Sequence, residues 1–90
     1  MKNNRQAIER WASEAILKRH TDVKIEGRIV ACGWMLGLLT PTRSHLRSLA
    51  DNADNEAERR FLCGDEFHHR FFRGIADTFD DAADLLPWPP

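Results

Sequence analysis

Residues Ile29 to Leu39 read Ile-Val-Ala-Cys-Gly-Trp-Met-Leu-Gly-Leu-Leu, eleven positions with no charge and only glycines between the apolar side chains. A run of that kind must be buried, and its length decides where. It falls short of the ~20 residues that cross a bilayer, and Arg28 closes one end. A buried strand or a buried helix remains. Val23, Ile25, Ile29 and Val30 are β-branched and Glu26-Gly27 can turn a hairpin, which favours strands. The helical reading is preferred, because Gly33 and Gly37 then fall on one face, where missing side chains let a second helix approach closely. On that reading Gly33→Leu disrupts the fold or an assembly.

The rest of the chain serves as cover for this segment. Ninety residues make one domain, able to bury about 60% of its unfolded surface. With 42% hydrophobic and 30% charged residues the chain lies in the range of folded globular proteins. The start, Met1-Lys2-Asn3-Asn4-Arg5, leads into an amphipathic stretch and not into a signal-peptide core. A cytoplasmic setting is expected, without a membrane span. Cys32 and Cys63 are too few for a disulfide scaffold, so free thiols are expected.

Apolar spacing predicts rods. Ile8, Trp11, Ala12, Ala15 and Ile16 recur at the steps of one buried helical face, giving a first helix over 4–20 with Asn3 and Gln6 as a capping pair. Thr21-Asp22 caps a second helix that continues through Leu39. Thr40-Pro41 starts a short third helix, to about Asp51, that buries Leu46, Leu49 and Ala50. Asn52, Asp54 and Asn55 read as a turn, with Asn55 and Glu58 as a further capping box. Phe61, Leu62, Phe67, Phe71, Phe72, Ile75, Phe79, Ala82, Ala83 and Leu86 then follow mostly at steps of three or four. Gly64-Asp65 is the natural break, glycine ending one helix and aspartate capping the next. Pro87 forces an end at Leu86. The expected architecture is all-α: a small single-domain bundle of four or five helices over residues 1–86, with a Pro/Trp tail over 87–90.

Candidate chemistry is sparse. Cys63, Asp65, His68 and His69, with Cys32 from the central segment, suggest a metal site. The spacing argues against one: adjacent histidines on a helix point about 100° apart, and the usual ligand pairs are absent. Asp65-Glu66-Phe67-His68 spells a helicase string, but no phosphate-binding glycine loop precedes it. Ser13, Ser44 and Ser48 fall on predicted helices and not on a strained elbow. Neither enzyme activity nor a cofactor or metal is expected.

The charge pattern says more. Residues 1–49 hold nine Lys/Arg against four Asp/Glu, a net of +5, and residues 50–90 hold four against ten, a net of −6. Either the halves neutralise each other in the folded monomer, or they face outward as basic and acidic patches that steer a partner. On the second reading Asp77, Asp80, Asp81 and Asp84, interleaved with Phe79, Leu85 and Leu86, occupy a basic nucleic-acid-binding groove on a host protein, with Trp88 as interface anchor. The expected function is a non-catalytic protein-binding module that covers a partner's surface. Small charge-polarised chains of this kind are common among inhibitors made by phages and other mobile elements, anti-CRISPR proteins included; that likeness is one of class and not of residues. A homodimer through the glycine face or the aromatic helix is a further expected arrangement. The alternative is a helix-turn-helix DNA-binding regulator, its third helix presenting Arg43, His45 and Arg47 to a duplex. An acidic C-terminal half, repelled by phosphate, weighs against it.

Overall fold

The computed structural model describes residues 2–37 and 41–85, with side chains from Asn4 onward, and these form four α-helices and no strand. They are α1 (Lys2–Leu17), α2 (Val23–Leu36), α3 (Arg43–Leu62) and α4 (Glu66–Ala83). The all-α bundle expected from the apolar spacing is therefore present, and residues 23–32 are helix and not hairpin. Their helix starts where Asp22, in extended backbone, accepts the Lys24 N–H at 3.0 Å and satisfies one of the free amides of the first turn. Asp65 caps α4 the same way, accepting the His68 N–H at 3.1 Å. Gly64, at φ +80°, supplies the left-handed residue between α3 and α4.

Three expectations about boundaries are corrected. First, α1 is already under way at Lys2, so Asn3 is not its cap; Asn4 and Ile8, four apart and both buried, hold this first turn by packing. It ends at Leu17, and His20 at φ 72° turns the chain toward α2. Second, α2 stops at Leu36 with Gly37 as its C-cap, and α3 is capped by Thr42, whose hydroxyl oxygen accepts the His45 N–H at 3.1 Å, and not by Thr40, which lies outside the described residues. Third, the turn expected at Asn52–Asn55 does not form. Ala50, Ala53 and Ala57 are buried on one face of a continuous 20-residue α3, and packing of that face overrides the local preference of Asn and Asp for turns. At the far end α4 closes at Ala83 with Asp84 as C-cap, ahead of the Leu86 limit set by Pro87, which is outside the described residues.

Helix directions follow from the cross-links. Arg19 meets Glu26 while Arg5 Nη1 donates to the Leu36 carbonyl at 3.1 Å, so α1 and α2 are antiparallel. Arg47 meets Asp80 and Arg73 meets Asp54, so α3 and α4 are antiparallel too. Lys24 meets Asp77 and Arg28 meets Asp81, so α2 and α4 run side by side in the same direction. The packing order is α1, α2, α4, α3.

The crossing of α2 and α4 rests on two glycines that the sequence does not single out. A β-carbon placed on Gly74 falls 2.8 Å from the Lys24 Cα, and one placed on Gly27 falls 3.0 Å from the Ile75 nitrogen. Both helices thus lie backbone against backbone. The expected glycine face is elsewhere: Gly33 is exposed with nothing within 4 Å of a β-carbon there, and Gly37 ends the helix. Among the described residues no helix approaches over Gly33, so Gly33→Leu is not expected to disrupt the fold of the single chain.

The core gathers at one end of the bundle. Ile8 from α1, Ala31, Cys32 and Met35 from α2, Leu46 and Ala50 from α3, and Phe79, Ala82 and Ala83 from α4 form one buried cluster. Only part of the apolar run belongs to it: Val30 and Trp34 are about half exposed, at 49% and 51%. Leu38 and Leu39 are outside the described residues.

Candidate functional site

Asp77 pairs with Lys24 at 3.2 Å, Asp81 with Arg28 at 3.4 Å, and Asp80 with Arg47 at 3.0 Å. Asp84 takes the second nitrogen of the same Arg47 guanidinium. Two bases on α2 and one on α3 thus pair with three aspartates of α4 and its C-cap Asp84, leaving this face one negative charge in excess. Arg28 is further held by its guanidinium carbon 4.5 Å over the Trp11 ring and by donation to the Thr78 hydroxyl at 3.4 Å. Hydrogen bonds to Asp84 and then Asp80 push the Arg47 guanidinium further toward its charged form. Trp88 lies outside the described residues.

These pairs also bear on the nucleic-acid alternative. Arg47 directs both Nη atoms at carboxylates of the same chain, Asp80 and Asp84, which compete with a base edge for its fork. His45 has its ring edge-on to Trp34, centroids 6.4 Å apart. Arg43 has no ion-pair partner among the described residues. In addition α3 packs on α4, while α2 packs on α1 and α4; a helix-turn-helix needs the two helices flanking the turn to brace each other.

The cysteines and histidines do not converge. Cys32 is fully buried in the core, where loss of hydration raises its thiol pKa and Arg28 only partly opposes the rise. Cys63 is exposed just past α3. His68 Nδ1 lies 2.8 Å from Asp65, whose carboxyl is held below its ordinary range first by the His68 backbone N–H and then by the ring. His69 Nδ1 lies 2.9 Å from the Ala57 carbonyl oxygen. Among the described residues no three His, Cys, Asp or Glu side chains come together as metal ligands. Ser13, Ser44 and Ser48 are exposed on helical faces.

The aromatic end of the α3–α4 hairpin lies outside the buried core. Phe61 is 58% exposed, Leu62 76% and Phe67 58%. The α2 backbone meets α4 between Phe71 and Ile75, and the ion pairs between these two helices lie further along, at Asp77 and Asp81, away from the first turn of α4. Side chains of the hairpin itself hold this end in shape. Glu56 accepts from Arg60 at 2.9 Å, Arg60 lies over the Phe72 ring at 6.0 Å, and the Phe61 and His69 rings are 5.1 Å apart. Three large apolar groups expose on the order of 400 Å² here, the size of the functional patches found on small monomers.

The other exposed apolar groups are more scattered. Trp34 is braced edge-on against Phe79, centroids 6.1 Å apart. Ile16 and Leu17 stand at the end of α1. The signal that would have found the hairpin end is its position: Phe61, Leu62 and Phe67 flank a Gly-Asp turn, where a helix has run out of neighbours.

Next to this end, Asp54, Asn55, Glu58, Phe61, His69 and Arg73 line an open groove of about 390 Å³ between α3 and α4. Arg73 donates to Asp54 across it at 2.7 Å. No protein-family model, curated protein or solved structure matches this chain.

Proposed function

We propose that this protein is a non-catalytic protein-binding module that acts by covering a partner's surface, and that the end of the α3–α4 hairpin makes the contact. The observation that carries this reading is the exposure of Phe61, Leu62 and Phe67 on a hairpin end braced from within. Aromatic and large aliphatic groups dominate the fully desolvated centres of interfaces. Holding them on a rigid two-helix support removes much of the ordering cost of association. The aspartates at the end of α4 are already joined to bases of the same chain, which moves the contact surface away from them. Inhibitors of host proteins made by phages and other mobile elements, anti-CRISPR proteins among them, are the functional class that fits a small module of this kind.

A double variant, Leu62→Ser with Phe67→Ser, tests the proposal. Both side chains are mostly in water, so the melting temperature is expected to stay within a few degrees of the parent. A partner captured from native host lysate by the tagged parent should be lost, its affinity falling at least about 100-fold, as the removal of two interface anchors implies. Retention of the same partner by the folded double variant overturns the assignment.

A further inference from the structure

The groove beside the hairpin end is lined by two carboxylates, Asp54 and Glu58, with the Asn55 amide, the His69 imidazole, the Arg73 guanidinium and the Phe61 ring. His69 Nδ1 sits 2.9 Å from the Ala57 carbonyl oxygen. A carbonyl only accepts, so Nδ1 carries the hydrogen, and in the neutral ring Nε2 is left as a lone-pair acceptor. Glu58 and Asn55 have no side-chain partner among the described residues. Asp54 accepts from Arg73 through Oδ1, and its second oxygen makes no hydrogen bond to a described residue. Arg73, the one guanidinium among the described lining residues, is thereby tied to Asp54. Phe61 forms the wall, with more than half of its surface open.

A site of this composition selects its ligand by chemistry. A ligand suited to it donates hydrogen bonds, carries positive charge to meet Glu58, and gains from a flat face that lies on an aromatic ring. Ammonium meets the first two requirements as a compact, strongly hydrated point charge. Guanidinium meets all three, with five N–H donors in a plane that stacks on aromatic faces. We propose that this groove takes an arginine side chain of the partner protein, its guanidinium lying on the Phe61 ring and donating to Glu58, Asn55 and Nε2 of His69. The inference rests on the protein-binding reading above and names the partner's chemistry at that surface: an arginine placed beside an apolar seat for Leu62 and Phe67.

The test uses the full chain labelled with nitrogen-15 and three capped tripeptides, acetyl-Gly-Xaa-Gly-amide with Xaa as arginine, lysine or citrulline. Citrulline keeps the planar shape but carries no charge and presents an oxygen. Arginine peptide is expected to shift the amide signals of Asn55, Glu58, Phe61 and His69 in a saturable way. Lysine peptide should bind several-fold more weakly and citrulline peptide should leave these signals unmoved. Glu58→Gln, an exposed and nearly isosteric change, should keep the parent melting temperature and weaken the arginine peptide about five-fold or more, because a charge-assisted bond becomes a neutral one. Equal shifts with all three peptides, shifts concentrated away from the groove, or undiminished binding by Glu58→Gln would each overturn the assignment. Leu62 and Phe67 do not line the groove, so this titration and the partner-capture experiment fail independently of each other.

Discussion

Gly74→Ala is expected to destabilise the fold by about 3 kcal/mol, a large cost for adding one methyl group. Its β-carbon would meet the backbone of Lys24, with Cα at 2.8 Å and the carbonyl carbon at 2.9 Å. Backbone atoms inside a helix cannot swing aside as the end of a side chain can. α2 and α4 would have to separate, which loosens the Lys24–Asp77 and Arg28–Asp81 pairs and opens the packing of Ala31 and Cys32. Gly27→Ala should behave alike, because its β-carbon points at the Phe71 carbonyl and the Ile75 nitrogen. Gly33→Ala is the matched control. It lies in the same helix with nothing within 4 Å, so the intrinsic preference of helices for alanine should stabilise by about 0.5–1 kcal/mol. Urea denaturation of the three variants, followed by circular dichroism, measures all of these. A neutral Gly74→Ala would mean that the two helices do not cross backbone to backbone.

Phe79→Ala is expected to cost about 3–5 kcal/mol. The reason lies in what surrounds it. The core is rich in alanine, with Ala15, Ala31, Ala50, Ala53, Ala57, Ala76, Ala82 and Ala83 all buried. Small residues let helices approach, but each contributes little apolar area, so most of the buried volume comes from Ile8, Met35, Leu46 and Phe79. Phe79 is 5% exposed and supports the Trp34 ring edge-on. Removing its ring leaves a cavity that a frame of closely packed alanine helices cannot collapse to fill. A domain of this size holds roughly 5–10 kcal/mol in total, so the variant should be partly unfolded at physiological temperature. A loss below about 1 kcal/mol, read from the same urea titrations, would contradict the packing described.

The parts of this fold that were legible in the sequence are those decided within one helix or one turn. The stripe of Ile8, Trp11, Ala12 and Ala15, the Asp22 cap, and the Gly64-Asp65 break depend on neighbours a few residues away, and each is found where the spacing puts it; Ile16, expected on the same buried face, is instead 52% exposed beside the end of α1. Features decided between helices were not legible. Gly27 and Gly74 are 47 positions apart, and nothing local marks either as the point of closest approach. Gly33 and Gly37 have the helical spacing of a packing face, yet spacing does not supply a helix to pack against. Four aspartates in a row along α4 read as a free acidic surface only while Lys24, Arg28 and Arg47 are unplaced. Continuity of α3 through Asn52 and Asn55 likewise depends on α4, which holds Ala50, Ala53 and Ala57.

The same distinction explains the candidate site. An amphipathic pattern shows that a helix has an apolar face but not how far along its length a neighbour extends. Phe61, Leu62 and Phe67 continue the pattern of Phe71, Phe72 and Phe79, so they read as core. The supporting helices end sooner. The exposed apolar positions coincide with a turn fixed by the Asp65 cap and with aromatic and ion-pair bracing inside the hairpin, which is why the proposed contact is placed there.

Hydrogen–deuterium exchange of the chain alone and in complex with its captured partner reads the contact surface directly. The account predicts that binding slows exchange in residues 58–70, across the last turn of α3, the Gly64-Asp65 turn and the first turn of α4, and leaves α1 and the exposed side of α2 unchanged. Slowing confined to α1 and to the Val30–Trp34 side of α2, with residues 58–70 exchanging as in the free chain, would contradict it.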